Sequence, residues 1–505
     1  MGQFRVSRSA RFSSLPWTSS PDKFIGSEEG FSMSIRVCYL VLALVLLSSG
    51  FRALGVESSE GAGGEQAVAQ HGSEDGNQTF AQYLEKSVVT RAETDRFLQG
   101  RGWAIFDPEL GYVLGNSMLP WGIDGSSTIE TVQPNGARTS FLYRDRTARI
   151  NAYGDSFTEC AQVSDGETWE EYLAGHLGEP IRNFGVGGFG VYQAYRRMLR
   201  EERTDHAAQY LILTICCDDS TRSLYRARWA AIYPWFRDQA ERNHIFHANF
   251  WSNVEMDLNT GHFVEKPQLL PTGESLYHMT EPQWMAEHLK DDLALELTAY
   301  SAGRIGELDR QQISRLAACL DFPFDWSLQS RTDTAPVPDA TGPRRTPMQA
   351  QAAALLNRYS QRATLFILEK VRAFTRENGK TLLVVLNGTA DIAEMKARGT
   401  RDDQAVVDYL VKERIPYVDI NAILLQGFKL SNLSKADYMK PYLVNGGHFN
   451  PMGNHFIAYA IKDKLLELLD PKPVPYQLPD AQAISFKGYL HGGMYDVRLS
   501  PQKTK

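Results

Sequence analysis

Gly154-Asp155-Ser156-Phe157 sets a serine between an apolar stretch, Arg149-Ile150-Asn151-Ala152-Tyr153, and a helix-like one at Thr168–Leu173. A serine at such a junction has its hydroxyl at the carboxyl edge of a sheet, near a helix start. Both positions favour a nucleophile that must stabilise developing negative charge. The turn alone is ordinary, because Gly, Asp and Ser are common turn and cap residues. Two further segments change its meaning. Asn183-Phe184-Gly185-Val186-Gly187-Gly188-Phe189-Gly190 follows apolar Pro180–Phe184 and precedes helical Val191–Arg200. Bare backbone N–H groups in such a loop suit an oxyanion hole. Near the end of the chain, Asn445-Gly446-Gly447-His448-Phe449-Asn450-Pro451 opens a helix over 454–469, with Pro451 well placed inside its start. His448 in that loop can swing towards a serine on the first strand and act as the base a hydroxyl needs at neutral pH.

The glycine loop also spells Gly-x-Gly-x-x-Gly at 185, 187 and 190. A dinucleotide site is disfavoured on two counts. The motif follows the second strand rather than the first, and no acidic residue ends a strand about twenty residues later.

The elements that must position these residues alternate from about residue 146. Strands are read at Arg149–Tyr153, Pro180–Phe184, Tyr210–Ile215, Thr381–Leu386 and Pro416–Ile420, and helices near 167–176, 190–202, 349–377, 402–413 and 452–469. Apolar runs separated by amphipathic helices imply a parallel sheet covered on both faces, with ligands beyond the strands' carboxyl ends. The alternation breaks at 221–347, an insert helical in parts and carrying Trp229, Tyr233, Trp235, Phe236, Trp251, Trp284 and Trp326. It closes with a breaker-rich linker, Thr332–Pro347. Its aromatics either build the insert's own core or form a surface for sugar or lipid.

Upstream, Val37–Leu47 is an unbroken apolar run of about 11 residues behind Arg36 and ahead of Ser48-Ser49-Gly50 and Ala53-Leu54-Gly55. That is the layout of a secretory signal, and short of the ~20 residues that span a bilayer. Residues 1–55 are therefore read as a signal region, with Met33 as the true start. An uncleaved anchor through 37–47 is the rival reading, and either places the folded part outside the cytoplasm, secreted or periplasmic. Residues 56–104 read as a flexible tether and short helix, 105–470 as the main domain and 471–505 as a tail. Asn77-Gln78-Thr79 has the form of a glycosylation sequon.

A net charge of −7 over 505 residues gives no electrostatic reason to expect nucleic acid. Cys160, Cys216, Cys217 and Cys319 fit no zinc spacing, and pairing of Cys160 with Cys216 or Cys217 stands beside four buried thiols as an alternative. No metal and no cofactor are expected.

Taken in order, Gly154-Asp155-Ser156-Phe157, the Asn183–Gly190 loop, Asp218-Asp219 at a strand end and Gly447-His448-Phe449-Asn450-Pro451 resemble the blocks of the GDSL/SGNH hydrolase superfamily. The resemblance covers about 105–470 apart from the insert. It implies an α/β, flavodoxin-like three-layer α/β/α sandwich with a parallel sheet and, here, a large helical insert. It also implies esterase, lipase, thioesterase or carbohydrate deacetylase chemistry. Ser156 would be the nucleophile, His448 the general base, and the Ser156 and Gly188 N–H groups oxyanion donors. No Gly-x-Ser-x-Gly elbow of the separate α/β-hydrolase fold is present.

Two positions depart from the pattern. Asp218 stands where the family has an asparagine that donates to the oxyanion, and Asn445 where it has the aspartate that supports the histidine. An ionised Asp218 would repel an oxyanion, and a protonated one could donate only if burial raised its pKa. Asn445 can orient an imidazole without supplying charge. Three readings follow: a carboxylate from elsewhere, such as Asp218 or Asp219, supports His448; the pair works as a dyad; or catalysis is lost and the fold binds only. The leading expectation is an exported serine hydrolase cleaving an ester, first a carbohydrate O-acetyl ester on a polysaccharide. An O-acetyltransferase using the same serine and an extracytoplasmic binding protein are the alternatives.

Overall fold

The computed structural model describes residues 78–100, 102–120, 122–216, 218–236, 250–330, 345–388, 391–444 and 447–477, and the side chains of Trp235 and Phe236 are not among what it describes. The signal region, residues 56–77 of the tether, Asn77, Cys217, most of the Thr332–Pro347 linker, Asn445 and residues 478–505 lie outside the described residues. Contacts divide the chain into Met1–Ser59 and Glu60–Lys505, and every described residue belongs to the second unit.

Five strands form one parallel sheet. They are β1 (Ile150–Tyr153), β2 (Ile181–Asn183), β3 (Tyr210–Cys216), β4 (Thr381–Asn387) and β5 (Tyr417–Asp419), in the spatial order β2-β1-β3-β4-β5. This is the flavodoxin-like order, whose switch point lies between β1 and β3. Register sets Tyr153 beside Leu213 and Asn387 beside Cys216, so the chain leaving β1 and the chain leaving β3 are neighbours at the carboxyl edge.

All seven residues of β3 are buried, as expected of a strand covered on both faces. Period-two alternation divides them. Leu211, Leu213 and Ile215 join one core with Leu382, Val384 and Leu386 of β4. Tyr210 and Ile212 join the other with Leu383 and Val385. The short helix α1 (Ser156–Glu159) follows β1, and α2 (Trp169–Leu177) covers the second face. The first face carries α3 (Val191–Glu201) and α5 (Pro347–Glu377), with the brief α4 (Asp219–Arg222) after β3. The second face is completed by α6 (Ile420–Leu430) and α7 (Pro451–Leu468). Pro347, read as the end of a linker, is instead the first residue of α5 behind a Thr346–Gln349 capping box.

The insert between α4 and α5 holds the helices Arg228–Phe236, Pro282–Leu289, Leu293–Ser301 and Arg310–Cys319 and a hairpin, Asn253–Asp257 with His262–Lys266. Trp229, Tyr233 and Trp251 are buried in the first-face core. Their polar handles are satisfied: Trp229 Nε1 donates to Ser87 O at 2.8 Å and Trp251 Nε1 to Tyr225 O at 2.9 Å. Core, not ligand surface, is their role. Trp284, partly buried, stacks between His278 and His288.

The short helical stretch expected behind the tether, near 80–98, is present. Two helices, Phe80–Lys86 and Arg91–Leu98, each start in a Thr capping box, and Tyr83 OH donates to Ala230 O at 2.6 Å. A hairpin follows, Ala104–Asp107 paired with Gly111–Leu114. Among the described residues no helix is long and apolar enough to cross a membrane.

Candidate active site

Ser156 is the first residue of α1, immediately beyond β1 at the switch point. Asp155 caps the helix, its carboxylate accepting the Phe157 N–H at 2.9 Å. Ser156 is partly exposed at a shallow recess that Phe157, Cys160, Ala161, His448 and Phe449 also line. Its Oγ lies 2.8 Å from His448 Nε2. His448 comes from the loop before α7, where Leu443 and Phe449 form an antiparallel bridge and Val444 N–H donates to His448 O at 2.9 Å. Its ring packs on Phe157 with centroids 5.0 Å apart.

The partner of the other ring nitrogen is Gln162: His448 Nδ1 lies 2.9 Å from Gln162 Oε1. An amide oxygen only accepts, so Nδ1 carries the proton and Nε2 is left to take one from the serine. This corrects the expectation that Asp218 or Asp219 supports the histidine. Asn445 lies outside the described residues.

Gln162 reaches this place through a costly backbone. Cys160 and Gln162 adopt φ of 62° and 73°, in the left-handed region that side-chain-bearing residues avoid. Buried Arg138 holds the turn. Its guanidinium donates to Glu159 O, to Cys160 O at 2.8 Å, to Val163 O at 2.5 Å and to Asp165 Oδ1 at 3.0 Å. Asp165 in turn accepts the Thr131 hydroxyl at 2.6 Å. One planar cation thus ties four groups of the 159–165 segment into a single geometry. No local pattern in the sequence marks Gln162, because its partner is 286 positions away.

The glycine loop commits nearly all its amides internally. Gly185 N–H goes to Asn183 Oδ1 at 2.9 Å, Val186 N–H to Gly154 O at 3.1 Å and Gly187 N–H to Glu159. Phe189 N–H goes to Val186 O at 3.1 Å and Gly190 N–H to Gln193 Oε1 at 3.0 Å. Gly188 N–H alone in the loop has no acceptor among the described residues, and neither has the N–H of Ser156. Gly188 sits at φ 82°, and a side chain there would meet the Arg228 guanidinium and the Tyr112 hydroxyl. With its other amides spent, the loop is not a phosphate cradle.

Asp218 and Asp219 sit beside Gly188's loop in a charged cluster. Asp219 Oδ2 accepts Cys216 N–H at 2.8 Å, and its Oδ1 lies 3.0 Å from Arg222 Nη1. Arg222 also pairs with Asp218 and approaches Asp155 at 3.6 Å. Burial, then Asp155, pushes the Asp219 carboxyl well up, whereas Asp218 ends below the usual range because Arg222 and Arg228 more than offset its burial. Asp218 is thus ionised, with its side chain 43% exposed. Burial, then Arg222, lowers His448 to about 4, so the imidazole is neutral and ready to accept a proton at neutral pH. Cys160 is a buried thiol directed to Glu170 at 3.4 Å and forms no disulfide. A separate cleft of about 430 Å³, near Phe322, Arg358 and Asp402, shares no residue with this constellation.

No family model matches the chain, and no curated protein matches it. Among solved structures, one crystal structure is 13% identical, covering 63% of this chain and 96% of its own, with a TM-score of 0.27. The crystal structure of a member of the lipolytic protein G-D-S-L family from Veillonella parvula is 9% identical over 62% of this chain and 96% of that chain, with a TM-score of 0.25.

Proposed function

We propose that this protein is a serine hydrolase cleaving an ester through an acyl-serine intermediate. The chain Ser156 Oγ, His448 Nε2, His448 Nδ1, Gln162 Oε1, with contacts of 2.8 and 2.9 Å, carries the reading. Ser156 Oγ attacks the acyl carbon and its proton passes to His448 Nε2. The carbonyl oxygen takes up the electron pair and is held by the Ser156 and Gly188 N–H groups. Collapse breaks the bond to the leaving alcohol, which takes the proton back from His448. Water, deprotonated by the same nitrogen, then releases the acid. Gln162 keeps the tautomer correct without adding charge.

With the export expected from residues 37–47, a carbohydrate O-acetyl ester is the substrate to test first. A sugar hydroxyl in place of water would make the same serine an O-acetyltransferase. The test is a fluorophosphonate probe and acetate release from acetylated polysaccharide, with Ser156→Ala as control. Labelling confined to Ser156, with acetate release lost in S156A, supports the reading. Folded protein that takes up no probe and releases no acetate leaves the binding-protein reading instead.

A further inference from the structure

An ionised Asp218 at the place of an oxyanion donor poses a charge problem that the two backbone amides do not solve. Its solution lies one helix further on. Arg228, the first residue of the helix Arg228–Phe236, directs Nη1 against Gly188, into the space that any side chain at 188 would occupy. Its guanidinium donates to the Tyr112 hydroxyl, and that hydroxyl donates to Gly187 O at 2.6 Å. The cation is therefore anchored to the loop that presents the Gly188 N–H. Asp218 attracts it. Its Nε is buried and makes no hydrogen bond among the described residues. Arg222, the neighbouring cation, is already engaged with Asp155, Asp218 and Asp219.

Resting on the serine-hydrolase reading, we infer that Arg228 is the third oxyanion donor, doing with a cation what the resemblance assigns to an asparagine. Asp218 then has a purpose: its charge balances the neighbouring cations in the resting site. When the acyl oxygen becomes negative, the charge develops between Gly188 N–H and a cation already in place. No reorganisation is needed at that moment, which is what makes fixed donors effective. A guanidinium is suited to this because it stays charged when buried and offers several N–H groups in one plane.

The experiment compares wild type, Arg228→Met, Arg228→Lys and the double variant D218N/R228M, using 4-nitrophenyl acetate turnover and the rate of fluorophosphonate labelling of Ser156. R228M is expected to lose kcat by about 100-fold or more with KM changed by less than about threefold, and to label correspondingly slowly. R228K is expected to keep part of the rate. The double variant restores a neutral asparagine donor and removes a carboxylate charge that would repel the oxyanion, so it is expected to recover at least about tenfold over R228M. An arginine that only balances the Asp218 charge would be relieved in stability by the same change, so melting temperatures are read beside kcat, and a loss of rate that merely follows lost stability overturns the inference. Active wild type with R228M within about threefold of it overturns the inference and leaves the serine reading intact. So does a loss that D218N fails to relieve. A wild-type protein whose Ser156 takes no probe overturns both together.

Discussion

Replacing Gln162 with glutamate puts a carboxylate where the structure has a neutral amide, at the same length and against the same ring nitrogen. At the observed 2.9 Å between Nδ1 and Oε1, the charge centres of the new carboxylate and the imidazolium would lie ~4 Å apart. That attraction is worth about 4 kcal/mol at an effective dielectric near 20. Position 162 is only 6% exposed, so desolvating the new carboxylate gives part of this back. A net ~1–3 kcal/mol in favour of the protonated ring remains. His448 starts from about 4. The acid limb of kcat/KM in Gln162→Glu should therefore move up by roughly 1–2 pH units, and kcat at neutral pH should rise by about 5- to 150-fold. Gln162→Leu, which leaves the buried Nδ1–H without an acceptor, should lower kcat by roughly 100-fold or more. The assay is a pH profile of 4-nitrophenyl acetate turnover for the three proteins. An unmoved acid limb in Q162E, or equal rates in wild type and Q162L, refutes the role given to Gln162.

Gly188→Ala forces a side chain into φ 82° and against Arg228 and Tyr112, so kcat should fall by about 100-fold or more while the melting temperature drops only a few degrees, read by calorimetry. Arg138→Met removes the cation that ties the 159–165 turn and strands buried Glu130 and Asp165; chemical denaturation should show a loss of roughly 3–5 kcal/mol. Glu170→Gln should stabilise the protein at pH 8. Burial raises Glu170 to about 8 from 4.5, so the folded state binds the extra proton between those values and stability falls as pH rises through that window. Removing the group should recover on the order of 3 kcal/mol at pH 8 and little at pH 4, measured by urea unfolding at both.

The sheet was legible because parallel strands are apolar on both faces and the intervening helices are strongly patterned. All five strands fall within a residue or two of their expected ends, and α3 and α7 start where Gly190 and Pro451 announce them. Ser156, Gly188 and His448 were legible through their places at strand ends and helix starts, and the structure brings them to one edge. Gln162 was not. Its position depends on two left-handed residues and on Arg138, 24 positions upstream, and such long-range ties leave no periodicity to read. The helices at 80–98 did carry a signal: Thr79-Phe80-Ala81-Gln82 and Thr90-Arg91-Ala92-Glu93 both have capping-box spacing. The short helical stretch expected near 80–98 is two helices, divided at the second of these boxes. Whether the aromatics of the insert face a core or a ligand is decided by partners far along the chain, such as Ser87 for Trp229.

The central claim is that Ser156, activated by His448 2.8 Å away, forms an acyl-enzyme. Rapid acid quenching after mixing with excess 4-nitrophenyl acetate, followed by peptide mass spectrometry, reads this directly. An acetyl group on the peptide containing Ser156, absent from S156A and depleted in His448→Ala, is the expected result. Turnover with no acetyl on Ser156, or an adduct undiminished by the loss of His448, contradicts it.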